Sequence, residues 1–469
     1  MAASKYFFCG IGGSGMLPLA LLLRAAGAEV AGSDRSRDQG RSQDKFAYLE
    51  RQGIALFPQD GSGLASADQV LVASAAIEED VPDVAAALRV GASRTTRAEL
   101  LARLFNAAPV SIGIAGTSGK STVTGMVAWI LSRAGKAPTV MNGAVMKNFA
   151  SPEAPYASAV AGDRGFFVSE VDESDGSIAL YDPRIAVINN VTLDHKSLDE
   201  LRPLFRSFAQ KAEKIVLNLD DAESRELIPW VAPPRRLDFS FERRDASFAA
   251  GGVDEGEGEV RFAFRHAGES HEVVLPLWGA HNAANALAAI AAAFAAGVPA
   301  AAAAASLASF QGLRRRFEMV GMRGGVAVID DFAHNPDKIA ASLKAARAKL
   351  EGRLLLFFQP HGYGPLRLMK QALVDTFVRG MGDDDVLILS DPVYYGGTVD
   401  RSIGSEDIVA AVHMRGRQAE HIAGRDACGA RLAELARPGD RILVMGARDD
   451  TLSAFAQDIL ARLPSTPAP

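Results

Sequence analysis

The chain alternates between short apolar runs and helical patterns, and this alternation falls into three blocks. In the first block, residues 1–107, a strand pattern over 5–11 is followed by glycines and then by a helical pattern over 16–26. Further strand patterns lie at 29–32 and 69–73. Strand, helix and strand in this order predict a parallel, Rossmann-like α/β domain.

The second block, residues 108–313, repeats this order around a glycine-bearing loop. Its apolar strand patterns lie at 110–115, 165–171, 185–189 and 215–218. Short alternating segments over 239–275 predict a small antiparallel excursion. The alanine-rich stretch 283–310 is broken by Gly297 and Pro299, so we expect two helices there and not a membrane span.

The third block, residues 314–469, returns to an α/β pattern. Its apolar strand patterns, separated by helical segments, lie at 326–329, 354–358, 385–389 and 441–445. The fold class that we expect is therefore α/β with three domains: a Rossmann-like domain, a central parallel-sheet domain of the P-loop ATPase type and a second Rossmann-like domain. The expected boundaries are 1–107, 108–313 and 314–469.

Composition and charge argue against some classes of protein, such as nucleic-acid-binding and secreted proteins, but they do not indicate a function. The chain of 469 residues is 48% hydrophobic and 23% charged, with a net charge of −6. No nucleic-acid partner is expected, because the one dense basic cluster is 314–316 and such proteins carry a basic patch or stripe. Two cysteines, Cys9 and Cys428, favour a reducing compartment, and the early glycines argue against a signal peptide. We expect a cytoplasmic monomer or homodimer.

A glycine loop follows the first strand pattern, with Gly10, Gly12 and Gly15 in the spacing Gly-x-Gly-x-x-Gly. Such a loop brings backbone N–H groups to a diphosphate at a helix N-terminus. Asp34 ends the next strand pattern, where an acidic residue of a dinucleotide fold would bind ribose. The loop alone leaves three alternatives open: a dinucleotide, another diphosphate such as a nucleotide sugar, or a tight turn without a ligand.

A second loop, residues 116–121, is the strongest local signal. Its residues are Gly116, Thr117, Ser118, Gly119, Lys120 and Ser121, between a strand pattern and a helical pattern. A nest of N–H groups, a lysine that reaches the β and γ phosphates and a hydroxyl that binds Mg²⁺ together hold a nucleoside triphosphate. The loop is not a strict Walker A motif, since Ile114 occupies the position of the first glycine.

Acidic residues follow the next strand patterns of the second block. Four carboxylates lie at the end of the pattern over 165–171: Glu170, Asp172, Glu173 and Asp175. Asp194 and His195 come after the pattern over 185–189. Ligands of open parallel sheets bind at the carboxyl ends of strands, and carboxylates suit Mg²⁺. A solvated loop and a structural histidine are the alternative, but the neighbouring P-loop favours metal and phosphate chemistry.

Three later motifs are weak when taken singly. They are His281-Asn282-x-x-Asn285, Arg314-Arg315-Arg316-Phe317-Glu318 and Asp330-Asp331-x-x-His334. Each can be explained as a helix cap, a solvated basic turn or an ordinary loop. An arginine in such a turn could equally clamp the oxygens of a phosphoryl group in transfer.

In this order and at this spacing, the motifs resemble those of the Mur ligase family across nearly the whole chain. The resemblance implies an ATP-dependent, Mg²⁺-dependent ligase that forms an amide bond through an acyl phosphate during peptidoglycan synthesis. Its partners would be a UDP-sugar and an amino acid or short peptide. The first domain would then bind the UDP-sugar, and the second would bind ATP.

The resemblance also implies a role for each matching residue. The implied catalytic residues are Lys120, Glu170, His195, Arg316 and His334. The implied nucleotide contacts are residues 116–121, Asn282, Arg316 and Asp331, and the implied metal ligands are Ser121, Glu170 and His195. The implied contacts with the sugar nucleotide are Gly12, Gly13, Ser14, Gly15, Asp34, Ser74 and His361.

The first domain and the segment 358–361 resemble the branch of the family that adds an amino acid to a UDP-N-acetylmuramate-type carboxylate. Some relatives carry a carbamylated lysine after the Asp-His pair, and Phe205 stands near that place here. The departures from the branch are Ser118 and Asn335 in place of histidines, Lys196 in place of an apolar residue, and Gly362 and Pro365 in place of arginines. We therefore expect an intact ATP site and an altered acceptor end.

From the sequence alone, four functions remain open. One is the amino-acid-adding ligase, and another is a paralogue that attaches a tripeptide in muropeptide recycling or joins another acid and amine. An NAD-linked oxidoreductase would use the first glycine loop and Asp34, but it leaves the P-loop unexplained. An inactive UDP-sugar-binding protein would agree with the altered acceptor end but not with the retained Lys120, Glu170 and His195.

Overall fold

A computed structural model describes residues 5–75, 77–192, 197–256, 258–393, 400–447, 449 and 451–465. Contacts divide the chain into two compact units, and each is described by itself. The first unit comprises residues 1–277 and 281–312, and the second comprises 278–280 and 313–469. Within the described residues there are three sheets, two in the first unit and one in the second. The expected α/β fold with three domains is confirmed, whereas the boundaries at 107 and 313 stay a prediction.

The first sheet has five parallel strands in the order β3-β2-β1-β4-β5. Its strands are β1 Lys5–Cys9, β2 Glu29–Ser33, β3 Ala55–Phe57, β4 Gln69–Ala73 and β5 Ser93–Thr96. Its helices are α1 Met16–Ala25, α2 Arg35–Asp38, α3 Gln43–Arg51, α4 Pro82–Val90 and α5 Arg97–Asn106. The first strand ends at Cys9, earlier than its apolar pattern, because Gly10 turns the chain with a φ of +77°.

The second sheet has ten strands in the order β15-β14-β13-β12-β11-β10-β6-β9-β7-β8. Its strands are β6 Val110–Ala115, β7 Thr139–Met141, β8 Ala159–Val160, β9 Phe166–Glu170, β10 Ile185–Ile188, β11 Lys214–Asn218, β12 Arg236–Ser240, β13 Phe248–Glu255, β14 Val260–His266 and β15 Glu269–Leu275. The expected antiparallel excursion is β13 to β15. It extends the main sheet, because β13 pairs in parallel with β12.

The helices beside the second sheet are α6 Lys120–Arg133, α7 Leu198–Lys211, α8 Ala222–Arg225, α9 His281–Ala295 and α10 Ala300–Ser306. The alanine-rich stretch therefore forms two helices, as expected, and most of α9 is buried. Phe205 is buried within α7. No helix in the described part of the chain is long and apolar enough to cross a membrane.

The third sheet lies in the second unit, in the order β16-β17-β21-β18-β19-β20. Its strands are β16 Glu318–Arg323, β17 Val326–Asp331, β18 Leu354–Gln359, β19 Val386–Leu389, β20 Gln418–His421 and β21 Arg441–Gly446, and only β16 pairs antiparallel among these. Its helices are α11 Pro336–Arg347, α12 Tyr363–Gly380, α13 Ser405–Met414, α14 Arg425–Leu435 and α15 Leu452–Arg462.

Apolar packing explains why the strand patterns were continuous rather than alternating. Ile329 packs into a core cluster on one face of the third sheet, and its neighbour Val328 packs into a cluster on the other face. Successive side chains of a strand point to opposite faces, so a sheet covered on both faces needs apolar residues at every position. In the first unit, one core cluster joins Phe105 of α5 to Phe167 of β9.

Candidate functional site

The glycine loop of the first sheet is held by Asp34. The Gly12 N–H donates to Asp34 Oδ2 at 2.8 Å, and the Ser36 N–H donates to Oδ1 at 2.8 Å, so that Asp34 also caps α2. A Cβ at Gly12 would lie 2.9 Å from Asp34 Oδ2 and 3.0 Å from the Phe46 ring, so a larger residue would displace one of these side chains. Asp34 is buried and supports the loop, and its expected contact with the sugar nucleotide stays a prediction.

Ser74 lies at the same sheet edge as the glycine loop. It directly follows β4, which pairs in parallel with β1, and its side chain is exposed. Because the strands of this sheet are parallel, their carboxyl ends meet at one edge, where ligands of such folds bind. The structure therefore brings together Ser74 and the loop residues Gly12, Gly13, Ser14 and Gly15.

Two glycines set the shape of the P-loop in the second sheet. Gly116 has a φ of +139° and Gly119 a φ of +83°, a region that favours glycine. Gly119 precedes the first residue of α6, so the loop ends at a helix N-terminus, where phosphate groups bind well. A Cβ at Gly119 would lie 2.4 Å from Asn285 Oδ1. The expected phosphate-binding shape is therefore present.

Asparagines anchor the P-loop, and sequence reasoning missed this role. Asn190 Oδ1 accepts from the Ser118 N–H at 2.8 Å and from Thr117 Oγ1 at 2.9 Å. Asn189 Nδ2 donates to the Ser118 carbonyl at 3.1 Å and to Asn285 Oδ1 at 2.9 Å. The adjacent asparagines directly after the β10 run were the available signal, because the carboxyl end of a central strand lies beside the P-loop.

Asn282 belongs to the same network. Asn285 Nδ2 donates to Asn282 Oδ1 at 3.0 Å, and both asparagines lie on the first turns of α9 and are buried. The hydrogen bonds run from Asn282 through Asn285 and Asn189 to the P-loop. This places the expected nucleotide contact Asn282 beside the loop, although a direct contact with the nucleotide stays a prediction.

Lys120 is paired with a buried carboxylate. Its Nζ lies 2.8 Å and 3.1 Å from the two carboxylate oxygens of Glu173, and the exposed fractions of the two side chains are 18% and 5%. Burial raises the pKa of the Glu173 carboxyl, although the charge of Lys120 opposes that shift. A P-loop lysine that reaches phosphates is expected to face solvent, whereas Lys120 is largely buried against Glu173 and neutralises it, so its loss would also cost stability.

Ser121 and Glu170 form an oxygen-rich pair beside the P-loop. Ser121 Oγ donates to Glu170 Oε2 at 2.7 Å. Asn142 Nδ2 donates to the Ser121 carbonyl at 3.0 Å, and a Cβ at Gly143 would lie 2.1 Å from Glu170 Oε1. Asn142 and Gly143 follow β7, and their position after a strand was the only sequence signal for this supporting role.

Hydroxyl and carboxylate oxygens are the ligands that Mg²⁺ prefers, so this pair fits the expected metal. Among the residues that the structure describes, His, Cys, Asp and Glu form no group of three or more that could hold a metal ion. The third expected ligand, His195, lies outside the described residues, as does Lys196. The set of Ser121, Glu170 and His195 therefore stays a prediction.

Of the three successive arginines 314–316, Arg315 is the buried one. Its Nη2 donates to the Gly446 carbonyl at 2.6 Å, its Nη1 donates to the Asp449 carbonyl at 2.9 Å, and its Nε lies 3.4 Å from Asp330 Oδ1. Arg316 is half-buried, with its guanidinium 4.9 Å from the centre of the Phe332 ring. Three successive arginines look alike in sequence, and only packing distinguishes them.

Asp331 accepts hydrogen bonds from backbone N–H groups of its own unit. Its Oδ1 accepts from the Phe317 N–H at 3.0 Å and from the Phe332 N–H at 2.9 Å, and its Oδ2 accepts from the Ser342 hydroxyl. Phe317 has a φ of +50°, uncommon for a residue with a side chain, and the bond to Asp331 holds that turn. Asp331 thus shapes the loop that carries Arg316, and its expected ribose contact stays a prediction.

His334 and His361 come together in the second unit. Their ring centres are 5.1 Å apart at 85°, and His334 Nδ1 lies 2.8 Å from the Phe332 carbonyl. Burial lowers the pKa of His334 from 6.5 to about 4. Asn335, which replaces a family histidine, caps α11 by accepting from the Lys338 N–H at 2.9 Å.

We expect His334 to stay neutral throughout the working range of the protein. Its folded pKa of about 4 lies below the unfolded value of 6.5, so its contribution to stability is present above pH 6.5 and is lost as the pH falls towards 4. Imidazole resonances followed by NMR, assigned with His334→Gln, test this. A midpoint near 4 agrees, and a midpoint near 6.5 would contradict it.

The acceptor end that we expect to be altered begins at Gly362. This residue has a φ of +142° and precedes α12, and Pro365 lies in the first turn of that helix. Glycine tolerates this φ without strain, whereas an arginine at this position would be strained. Residues 394–399 lie outside the described structure.

Comparison with known proteins gives three matches to family models, each over a different block. Residues 5–108 match the Mur ligase family catalytic domain. Residues 114–293 match the Mur ligase middle domain, and residues 315–448 match the Mur ligase glutamate ligase domain. The three matches follow one another in the order of the three sheets.

Similar proteins carry related names. The UDP-N-acetylmuramate–L-alanine ligase of Cereibacter sphaeroides is 35% identical over 97% of this chain and 96% of its own length. The solved UDP-N-acetylmuramate–alanine ligase of Thermotoga maritima has a TM-score of 0.77 at 24% identity, covering 98% of both chains. A murein peptide ligase from Psychrobacter arcticus has a TM-score of 0.70 at 24% identity, covering 100% of both chains.

Proposed function

Since the chain belongs to the Mur ligase family, we propose that it joins an amino acid to the carboxylate of a UDP-N-acetylmuramate-type substrate, driven by ATP. The single observation that supports this best is the arrangement of Lys120, Ser121 and Glu170 at the P-loop, in the same unit as the glycine loop. The alternative of an NAD-linked oxidoreductase leaves this arrangement unexplained, because hydride transfer requires no P-loop lysine and no metal-binding carboxylate beside it.

The first step is phosphoryl transfer. A carboxylate oxygen of the sugar nucleotide attacks the γ-phosphorus of ATP, the bond from that phosphorus to the β–γ bridging oxygen breaks, and ADP and an acyl phosphate form. Such a step depends on positioning and charge neutralisation rather than on a nucleophilic side chain. Lys120 would leave Glu173 or share its ammonium with the phosphates, while Asn190 and Asn285 hold the loop in place.

Mg²⁺ would be held by Ser121 and Glu170, together with the expected His195, and would supply neutralisation of phosphate charge. The bond from Asn142 to the Ser121 carbonyl and the close approach of Gly143 to Glu170 fix the two oxygen ligands relative to each other. Glu170 and Ser121 belong to different elements, and these contacts hold the pair together in the structure.

The second step forms the amide bond. A neutral amine attacks the acyl carbon, and the tetrahedral intermediate expels phosphate, which carries away one of the original carboxyl oxygens. Water must be excluded, because it would hydrolyse the acyl phosphate. We propose that Arg316, Asp331, His334 and His361 of the second unit contribute contacts with nucleotide and substrate, with Asp331 acting through the loop that it holds.

The proposed function is tested with purified protein, ATP, MgCl₂ and UDP-N-acetylmuramic acid. Each standard amino acid and the stem tripeptide is added in turn, and phosphate release and product mass are measured. We expect phosphate release only when all substrates are present, and a product heavier by one amino acid minus water. If the tripeptide is the only acceptor that gives a product, the recycling paralogue is favoured. ATP turnover that gives no product of added mass with any of these amines would contradict the proposal.

A further inference from the structure

Arg97 lies where the glycine loop of the first sheet faces the acidic segment after β9. It is the first residue of α5, and a capping box between Thr96 and Glu99 fixes this helix start. A Cβ added at Gly15 would lie 2.9 Å from Arg97 Cδ and 3.3 Å from its Nη1, so the side chain lies against the loop. Its Nη2 is 3.8 Å from Asp175 Oδ2.

The loop itself offers few donors to an anion. Six of its N–H groups already donate within the first unit: those of Gly10, Ile11, Gly12, Gly13, Met16 and Leu17. In the described structure this leaves the N–H groups of Ser14 and Gly15 in the segment 10–17 without an acceptor. Two neutral amides offset little of the charge of a diphosphate, so a cationic group beside them would strengthen binding.

The strand order places Arg97 beside the crevice at the carboxyl ends of β1 and β4. β1 and β4 are neighbours at the point where the strand order reverses, and open α/β sheets bind ligands outside the carboxyl ends of strands at such a point. The glycine loop follows β1, and Arg97 follows β5, on the far side of β4. Its contact with Gly15 therefore spans the crevice.

We propose that Arg97 binds the diphosphate of the sugar nucleotide, together with the Ser14 and Gly15 N–H groups; this inference rests on the proposed function. A planar guanidinium with a fork of N–H donors matches phosphate oxygens. At 3.8 Å the contact with Asp175 is too long for a hydrogen bond, and Asp175 Oδ1 accepts from the Ser177 N–H at 2.9 Å. Arg97 therefore keeps donors for a ligand while Asp175 holds it at the edge of the second sheet.

The test is calorimetry on the full chain, with UDP and with uridine, and with excess ADP present to occupy the P-loop. Arg97→Ala is expected to weaken UDP binding by roughly 10- to 100-fold, as for loss of a charged hydrogen-bond donor. Uridine, which lacks phosphate, should bind wild type and Arg97→Ala equally. Arg97→Lys, which keeps the charge without the fork, should lie between wild type and Arg97→Ala.

The matched control is Arg94→Ala, which removes an arginine from β5 that pairs with Glu79 at 2.7 Å, and it should leave the UDP affinity unchanged. Equal affinities for UDP in wild type and a folded Arg97→Ala would overturn the inference, and so would an equal loss for UDP and uridine. If wild type turns over UDP-N-acetylmuramic acid while Arg97→Ala binds UDP normally, only this inference fails. If wild type binds no UDP, the proposed function fails with it.

Discussion

Lys120→Ala is expected to abolish ligase activity and also to destabilise the protein. Activity is lost because the ammonium that neutralises the β and γ phosphates is gone. Stability falls because Glu173 remains buried without its partner, at a cost of about 2–4 kcal/mol. Steady-state kinetics and thermal unfolding measure the two effects separately, and we expect a melting temperature several degrees lower.

The double variant Lys120→Met with Glu173→Gln separates the two effects. It removes the buried charge together with its partner, so it should recover most of the lost stability while remaining inactive. Lys5→Ala serves as the control, since it breaks an exposed ion pair with Asp68 in the same unit and should keep both activity and stability. Ligase activity in a folded Lys120→Ala protein would contradict the proposal that Lys120 and its loop bind the phosphates of ATP.

Glu170→Ala is expected to lower kcat by at least about 100-fold and to raise the Mg²⁺ concentration needed for activity. Glu170 supplies a carboxylate at 2.7 Å from the Ser121 hydroxyl, and its loss leaves that hydroxyl as the only described member of the expected metal site. Glu170→Gln keeps the shape but not the charge, so it should behave similarly. Activity is measured across a series of Mg²⁺ concentrations, with KM for ATP determined at each.

Glu213→Ala provides the comparison for Glu170, because Glu213 is an exposed carboxylate in the same unit that pairs only with Arg184 at 2.6 Å among the described residues. We expect it to have the wild-type rate and metal requirement. If Glu170→Ala shows the wild-type rate at ordinary Mg²⁺ concentrations, Glu170 has no role in the reaction. Its hydrogen bond to Ser121 would then be structural.

The parts of the site that sequence could predict are those built from consecutive residues. A strand, a glycine loop and a helix are adjacent in the chain, so the P-loop at 116–121 and the loop at 10–15 could be placed on strand ends without a structure. Glu170 could be placed for the same reason, because it ends β9. The family assignment rests on these local motifs.

The supporting contacts could not be predicted, because they join distant residues. Asn189 lies 71 residues from Ser118 and 96 from Asn285, and the Lys120–Glu173 pair spans 53 residues. The partner of each polar group depends on which residues the fold brings close together. A buried carboxylate such as Glu173 is stabilised by a cation that is nearby in space, and sequence separation does not reveal that cation.

Adjacent residues of the same type also differ in burial, and the sequence does not show which of them supports the fold. Arg315 and Arg316 are identical in type and adjacent, yet only Arg315 is buried among carbonyl groups. Asp34 and Asp331 were expected to contact ligands, and those contacts stay predictions; in the structure their carboxylates also accept from backbone N–H groups, which the sequence did not indicate. In the structure, both carboxylates hold loops that carry other residues.

The acyl phosphate is the central claim, and the fate of one oxygen atom tests it most directly. UDP-N-acetylmuramic acid labelled with ¹⁸O in its carboxylate is incubated with ATP, Mg²⁺ and the accepted amino acid, and the phosphate released is analysed by mass spectrometry. The proposed mechanism predicts that each phosphate carries one ¹⁸O atom from the carboxylate. Product formation with unlabelled phosphate would contradict it.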